Sequence, residues 1–399
     1  MNNSDIKLLF TCADPKITTQ NNRGYAIHIR EFLLALKRQK VSVSTYICGD
    51  RKPGAHTELA ARNEQNRGLK AALKKFKPAY AIQQRLKYWS SWFAARKAIS
   101  VLDEKFDAIY ERYEGTSRLG LTLAKKFKAP LILEVNAPFW QDAKYYGHYY
   151  SKFARRIDKK MVKKAQAVVV VTEAIKEYLI ELGAPAEKIT VNHNGVNLHV
   201  FQSTNGNGEL RKKLELTNKI VVGYVGSFSK WHRLELLVQA ARQLEPAFSK
   251  LHFLLVGNGA DRPRIEALIR ESNLTGIFTF TGEVLHTKVP EYLNLFDVAV
   301  LPETEDYCSP IKIFEYMAAE KAVLIPEITT LKALVKHEET GLFFKRASLE
   351  DLAGQLKKLV IDSELRTKIG KQAGETIREH FTWQKNSERV IELIASISK

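Results

Sequence analysis

Short apolar runs alternate with amphipathic stretches along most of the chain. Lys7-Leu8-Leu9-Phe10-Thr11 stops at Cys12-Ala13-Asp14-Pro15, and from Gly24 apolar residues recur at helical spacing: Ile27, Ile29, Phe32, Leu33 and Leu36. That pattern predicts strand, loop and helix. Val41 to Cys48 alternates as a second strand, Asp107 to Tyr110 leads into a third, Pro130 to Val135 is a fourth, and the valine-rich run Ala167 to Thr172 is a fifth. Continuous apolar strands separated by helices predict an α/β architecture with a parallel sheet covered on both faces.

The pattern then restarts. Lys219 to Gly226 is a strand ending in glycine, a helix follows from about Leu234 to Leu244, and further strands are expected at His252 to Gly257, Phe278 to Thr281, Val298 to Leu301 and Ala322 to Ile325. A second parallel α/β domain therefore begins near residue 217, after the polar, glycine-rich join Gln202-Ser203-Thr204-Asn205-Gly206-Asn207-Gly208. Helices are expected at Leu349 to Val360, at Ser363 to His380, and after Phe381-Thr382-Trp383.

Residues 51–106 fit neither repeat. They are helix-prone and basic (Arg62, Arg67, Lys70, Lys74, Lys75, Lys77, Arg85, Lys87, Arg96, Lys97), interleaved with Phe76, Tyr80, Tyr88, Trp89, Trp92 and Phe93. Two readings stand: an insertion whose aromatics pack on the sheet while its lysines face water, or a surface for a polyanion or an anionic membrane.

Composition sharpens the second reading. The chain has 399 residues, 45% hydrophobic, which suffices for two cores. Its net charge of +18 is uneven: residues 1–200 hold 35 basic and 18 acidic side chains, residues 201–399 hold 27 and 26. No run of about 18 uncharged apolar residues appears, and Asp5 and Lys7 stand where a signal-peptide core would lie. Cys12, Cys48 and Cys308 are too scattered for a disulfide framework or a zinc site, so a cytoplasmic setting is expected.

Candidate chemistry gathers where strands end. Gly24 opens the first helix, where free amides attract anions. Gly226-Ser227-Phe228-Ser229-Lys230-Trp231-His232-Arg233 follows the first strand of the second repeat, the place where open α/β sheets bind ligands. A solvated turn would also tolerate Lys230 and Arg233. In Tyr307-Cys308-Ser309-Pro310-Ile311-Lys312-Ile313-Phe314-Glu315, Ser309 is expected as N-cap and Pro310 as first helical residue, with the amides behind them open to a diphosphate. Glu315 lies on an otherwise apolar face and needs a partner: a ribose diol, or Lys312 three residues back.

These segments in this order resemble the GT-B glycosyltransferases, and within them the retaining family 4 (retaining glycosyltransferase group 1). The resemblance runs over nearly the whole chain: Gly24; Lys188 to Asn197; the Gly226 loop; Leu254-Leu255-Val256-Gly257-Asn258-Gly259; Phe280-Thr281-Gly282-Glu283-Val284; Asp297 to Pro302; Ser309 to Ala319; and Thr340-Gly341-Leu342. It implies two Rossmann-like domains facing across a cleft: residues 1–204 with 383–399, receiving the acceptor and carrying the basic insertion, and residues 205–382, binding a nucleotide-sugar. The segment after Trp383 looks like the family's cross-over helix. The resemblance places the base near Gly282, Glu283 and Val284, the ribose on Glu315, and the diphosphate at the amides of Ile311 and Lys312 beside Gly226, Ser227, Gly257 and Gly259. Arg112, Glu134 and Asn136 fall on the acceptor side. No metal or cofactor is implied beyond the nucleoside-diphosphate sugar as co-substrate.

Three departures stand out. The first of the family's two glutamates is Tyr307 here, and the usual Arg and Lys of the phosphate loop fall at Ser227 and His232. Lys230, His232 and Arg233 are therefore the candidate catalytic cluster for the leaving diphosphate. The first domain's usual histidine has no match at Glu134-Val135-Asn136, and an asparagine amide cannot act as a base. The expected activity is retaining glycosyl transfer to a hydroxyl acceptor. The basic half, with Tyr145-Tyr146-Gly147-His148-Tyr149-Tyr150 ahead of Lys152, Arg155, Arg156, Lys159, Lys160, Lys163 and Lys164, suits a lipid-linked or anionic glycan acceptor in cell-surface polysaccharide synthesis at the cytoplasmic face of an anionic membrane. Two alternatives share these features: a glycosyltransferase acting on DNA, and a sugar-nucleotide-binding protein without transferase activity.

Overall fold

The computed structural model describes residues 3–51, 77–102, 104–139, 149–201 and 208–397. The expectations resting on Arg62, Arg67, Lys70, Lys74, Lys75 and Phe76, on Tyr145 to His148, and on residues 202–207 of the join lie outside the described residues. Two compact units divide the chain: Met1–Asn21, Tyr25–His193 and Asn386–Lys399 form the first, Asn22–Gly24 and Asn194–Lys385 the second.

The first unit holds six parallel strands: β1 (Lys7–Cys12), β2 (Ser42–Ile47), β3 (Ala108–Arg112), β4 (Leu131–Val135), β5 (Ala167–Val170) and β6 (Ile189–Val191), in the order β2-β1-β3-β4-β5-β6. The inner strands are buried on both faces, as a parallel sheet requires, while the edge strands β2 and β6 are partly exposed; Leu8, Leu9, Phe10, Ile109, Ile132 and Leu133 have essentially no exposure. Phe32, from the helix Gly24–Arg38, packs on Phe10 and Tyr110. The helix Trp383–Ile397 ends on this unit, where Asn386 Nδ2 donates to the His193 carbonyl and Asn192 Nδ2 to the Asn386 carbonyl.

The second unit repeats the plan with β7 (Ile220–Val225), β8 (Leu251–Val256), β9 (Phe278–Gly282), β10 (Val298–Val300), β11 (Ala322–Pro326) and β12 (Leu342–Phe344). Read from β9, the order is β9-β8-β7-β10-β11-β12, with all neighbours parallel. This doubly wound order has its switch point between β7 and β10, where the loops after the two strands diverge and leave room for a ligand. The expected helices are present as Glu235–Leu244, Leu349–Ile361 and Ser363–His380. The architecture is thus α/β, two parallel-sheet units of the GT-B kind.

Within the basic insertion the described helix is Lys77–Ile99. Its side chains do not divide as aromatics inside and lysines outside. Tyr80 is buried, but Trp89 and Phe93 are more than half exposed, whereas Lys87 turns inward: its Nζ lies 3.2 Å from Asp14 and donates to the Glu114 carbonyl.

Candidate active site

The loops after β7 and β8 interlock. Gly226 (φ +139°) donates its N–H to Val256, and a side chain on Gly257 (φ +137°) would meet the Gly226 carbonyl at 2.0 Å. Only glycine allows that approach, so both loops stay tight against the strand ends. Phe228 and Asn258 share a further backbone hydrogen bond beside Gly259. Ser227 and Lys230 are exposed, and Arg233, in the left-handed region, pairs with Glu235 at 3.3 Å.

His232 differs from its neighbours in being buried. Its Nδ1 lies 3.2 Å from the Glu303 carbonyl and its Nε2 3.3 Å from Lys312 Nζ. Burial, with the charge of Lys312, holds the imidazole well below its usual pKa, so it is neutral. The Lys312 ammonium also donates to Tyr224 OH at 2.9 Å and sits 4.2 Å over the same ring. Crowding by protein atoms pushes its pKa down to about 7, which the charges of Glu315 and Cys308 only partly oppose, while the side chain keeps some of its surface open.

The helix Ile311–Ala318 starts one residue later than expected. Pro310, in an extended conformation, occupies the N-cap position, and no side chain caps the helix. Ser309 is therefore not the cap: its Oγ is buried without a hydrogen-bond partner among the described residues, and its carbonyl accepts from Asn194 Nδ2. The amides of Ile311 and Lys312 are left at an uncapped terminus beside the switch point. Glu315 is buried on this helix but does not pair with Lys312. His286 Nε2 lies 2.6 Å from its Oε1. Its Oε2 has no partner among the described residues. Tyr307 is buried, in the position of the missing glutamate. Gly282 closes β9, and Glu283 and Val284 follow it, the first exposed and the second half-buried.

Sequence reasoning missed two partners. His286 follows the Gly282-Glu283-Val284 motif by two residues, a spacing with no signal of its own. Arg346, two residues after β12, binds Glu303 Oε1 at 3.0 Å, donates to the Thr304 carbonyl and reaches Asp306, bracing the loop after β10.

In the first unit the acceptor-side candidates do meet, around one carboxylate. Glu134 Oε2 accepts from Tyr110 OH at 2.7 Å; Oε1 accepts from Arg112 at 3.0 Å and from Asn136 Nδ2 at 2.5 Å. His28 Nε2 stands 3.0 Å from Oε1, at ion-pair distance without the alignment of a hydrogen bond. Burial pushes the carboxyl up, but His28, Arg112 and Asn136 outweigh it and hold it well below the usual range. Gly24 opens its helix with open space where a side chain would stand. Among the described residues no group of three or more His, Cys, Asp or Glu is placed to hold a metal ion, and no helix is long and apolar enough to cross a membrane.

Two family models match the chain: Glycosyltransferase Family 4 over residues 22–200 and Glycosyl transferases group 1 over residues 207–376. An uncharacterized glycosyltransferase of Methanocaldococcus jannaschii is 23% identical over 370 residues, 91% of this chain and 92% of that protein. An alpha-monoglucosyldiacylglycerol synthase of Acholeplasma laidlawii is 24% identical over 287 residues, 67% of this chain and 70% of that one. The crystal structure of Anabaena HepE in complex with UDP-glucose shares the fold, with a TM-score of 0.71 at 17% identity over 98% of this chain and 100% of that one.

Proposed function

The chain belongs to the GT4-type GT-B glycosyltransferases, enzymes of sugar transfer in glycan synthesis, and from that premise we propose that it takes a nucleoside-diphosphate sugar as donor and glycosylates a hydroxyl of a lipid-linked or anionic glycan with retention of configuration. The observation that carries the donor assignment is the pair formed by the uncapped amides of Ile311 and Lys312 and the Glu315 carboxylate, whose Oε1 is fixed by His286 while Oε2 stays open. Amides at a helix start suit a diphosphate, and a buried carboxylate with one open oxygen suits a ribose diol. The solved relative bound to UDP-glucose supports the same class of donor.

In the proposed reaction the bond from the anomeric carbon to the diphosphate oxygen breaks, its electron pair leaving with the diphosphate. The acceptor oxygen bonds to the same face of that carbon, and its proton passes to the departing phosphate oxygen. Atoms and charge balance without a protein base. Asn136 has no basic site, and the Glu134 carboxylate is committed to three donors with His28 at ion-pair distance. The chain's own task is to stabilise the charge developing on the leaving group, with amides and cations rather than a metal in this reading.

An anionic membrane as the place of work is supported by an exposed face of the first unit. Ile82, Leu86, Trp89 and Phe93 follow one another at spacings of four, three and four on the helix Lys77–Ile99, each more than half exposed. The helix Lys152–Lys164 packs beside it through Tyr88 on Phe153 and Arg85 over Phe153, and exposes Lys152, Arg155, Arg156, Lys159, Lys160, Lys163 and Lys164. Apolar side chains flanked by cations match the two layers of an anionic bilayer surface.

The donor assignment is tested by transfer and hydrolysis assays over a panel of nucleotide-sugars. The wild type turns over at least one of them, and Glu315→Gln weakens its binding by roughly 10-fold or more, the loss of a charge-assisted hydrogen bond. Absence of any nucleotide-sugar binding, or unchanged affinity in the variant, refutes the assignment.

A further inference from the structure

We propose that the side chain of Lys312, set by His232 and Tyr224, is the cation that receives the departing diphosphate, in place of the loop cations Lys230 and Arg233; this rests on the donor reading above.

The argument starts from proton counting. An ammonium has three N–H donors. Lys312 spends one on Tyr224 OH at 2.9 Å and one on His232 Nε2 at 3.3 Å. Tyr224 gives its own proton to the Ser227 carbonyl, so its lone pair is available to Lys312. His232 donates from Nδ1 to the Glu303 carbonyl, which leaves Nε2 as an acceptor facing Lys312. The third donor has no acceptor among the described residues. Nor does Lys312 make an ion pair there, since Glu315 is held by His286. The result is a crowded cation with two neutral hydrogen-bond partners, one unspent N–H and no carboxylate at ion-pair distance among the described residues, an arrangement that is costly and is relieved by an anion.

Its position fits the diphosphate. Lys312 is the second residue of the uncapped helix Ile311–Ala318, and a side chain on Gly226 would come within 2.6 Å of its Nζ. The ammonium therefore lies against the backbone of the loop after β7, beside the amides at the helix start. Lys230, by contrast, is exposed to solvent, and Arg233 is engaged by Glu235. The geometry also accounts for His232 where the family's loop usually carries a lysine. A second ammonium 3.3 Å from Lys312 would repel it, whereas a neutral imidazole accepts its hydrogen bond and fixes its direction. Lys312 is thus a catalytic residue, and His232 a positioning residue that acts through it.

Titration supplies a readout that a merely structural lysine would not move. The titratable groups facing Lys312 are Tyr224 from β7, His232 from the turn after it, Cys308 ahead of the helix and Glu315 on it. Tyr224 is held well above its usual pKa and His232 well below, so neither changes charge between pH 7 and 9. Lys312, pushed down to about 7, does. Nucleoside diphosphate binding to the wild type should therefore take up a proton above pH 7, and affinity should fall with rising pH by up to about tenfold per unit.

Calorimetric titration with UDP, and with GDP and ADP if UDP does not bind, tests this at pH 7, 8 and 9 in buffers of different ionisation enthalpy. Lys312→Met is expected to weaken binding by roughly 30-fold and turnover by about 10²-fold or more. Lys312→Arg should retain binding and abolish both proton uptake and the pH slope, and His232→Ala should lower kcat and shift the slope. Lys230→Ala and Arg233→Ala should each change turnover by less than Lys312→Met does. If Lys312→Met matches the wild type while Glu315→Gln loses binding, the donor site stands and Lys312 is not its cation. A larger loss from Lys230→Ala or Arg233→Ala overturns the assignment equally. If no nucleoside diphosphate binds the wild type, the donor reading falls first and this inference falls with it.

Discussion

The two units place charged side chains at equivalent points of similar sheets and settle them in opposite ways. Each has six parallel strands with a switch point, between β1 and β3 in the first unit and between β7 and β10 in the second. At the first, Glu134 is saturated by Tyr110, Arg112, Asn136 and His28, while Asp14 and Lys87 satisfy each other. At the second, Lys312 keeps an unspent donor, the helix at Ile311 is uncapped, and Glu315 keeps an oxygen open. Topology puts both clusters where ligands bind, but what is left unsatisfied decides which of them needs a ligand. The first cluster is built to hold its shape, and the second is completed by what binds it.

The largest expected effect tests the closed cluster. Glu134→Ala removes one carboxylate and strands His28 and part of Arg112's charge in a buried setting, a class of change costing about 3–5 kcal/mol. Hydrogen exchange followed by mass spectrometry should show β1, β3 and β4 losing protection while β7 to β12 keep theirs, and affinity for a nucleoside diphosphate should stay within about twofold. Protection lost equally in both units, or in neither, breaks the contrast.

Next in size are two opposed pH dependences. Glu111, buried with Ser117 Oγ and the Gly120 amide as donors, is pushed up to about 7 from 4.5 by burial. Between those values the folded first unit holds a proton that the unfolded chain has released, so its stability falls as pH rises, by about 3 kcal/mol in all. Lys312 is lowered to about 7 from 10.5. In that window the unfolded chain binds more protons, so the second unit gains stability as pH rises from 7 and carries the full cost of the charge below it. Calorimetric unfolding at pH 5, 7 and 9.5 should show the falling slope disappear in Glu111→Gln and the rising one in Lys312→Met. Persistence of either slope in its variant shows that another group is responsible.

Much of this frame was legible in the sequence, because parallel strands buried on both faces announce themselves as uninterrupted apolar runs. The two strands not foreseen, Ile189–Val191 and Leu342–Phe344, are three residues long and sit at sheet edges, where an apolar run is too short to stand out. Helix bounds set by local chemistry were readable: Asp362 caps Ser363–His380 at the expected start. The cap expected of Ser309 failed because Pro310 takes the extended conformation at that position. The chemistry depended instead on pairs distant in sequence: Glu315 with His286, Glu303 with Arg346, Lys312 with His232 and Tyr224. No spacing rule reaches across 43 or 80 or 88 residues, and local reasoning could only offer Lys312 as a neighbour for Glu315 on the same helix.

The smallest expected effect on stability falls on the face that distinguishes the first unit most. Ile82, Leu86, Trp89 and Phe93 are already exposed, so Leu86→Ser with Phe93→Ser removes no core and should shift stability by no more than about 0.5 kcal/mol per site. Binding should respond quite differently. The wild type is expected to sediment with vesicles containing phosphatidylglycerol at low salt and to leave them as salt screens the cations of Lys152–Lys164; vesicles of phosphatidylcholine alone should capture little. The double variant should lose the part of binding that survives at high salt, which the apolar stripe contributes, and Lys159→Glu with Lys160→Glu the part that salt removes. Failure of the wild type to bind anionic vesicles at low salt, or equal capture by duplex DNA, would assign the charge of this unit to something other than a membrane and leave the stripe without its proposed occupant.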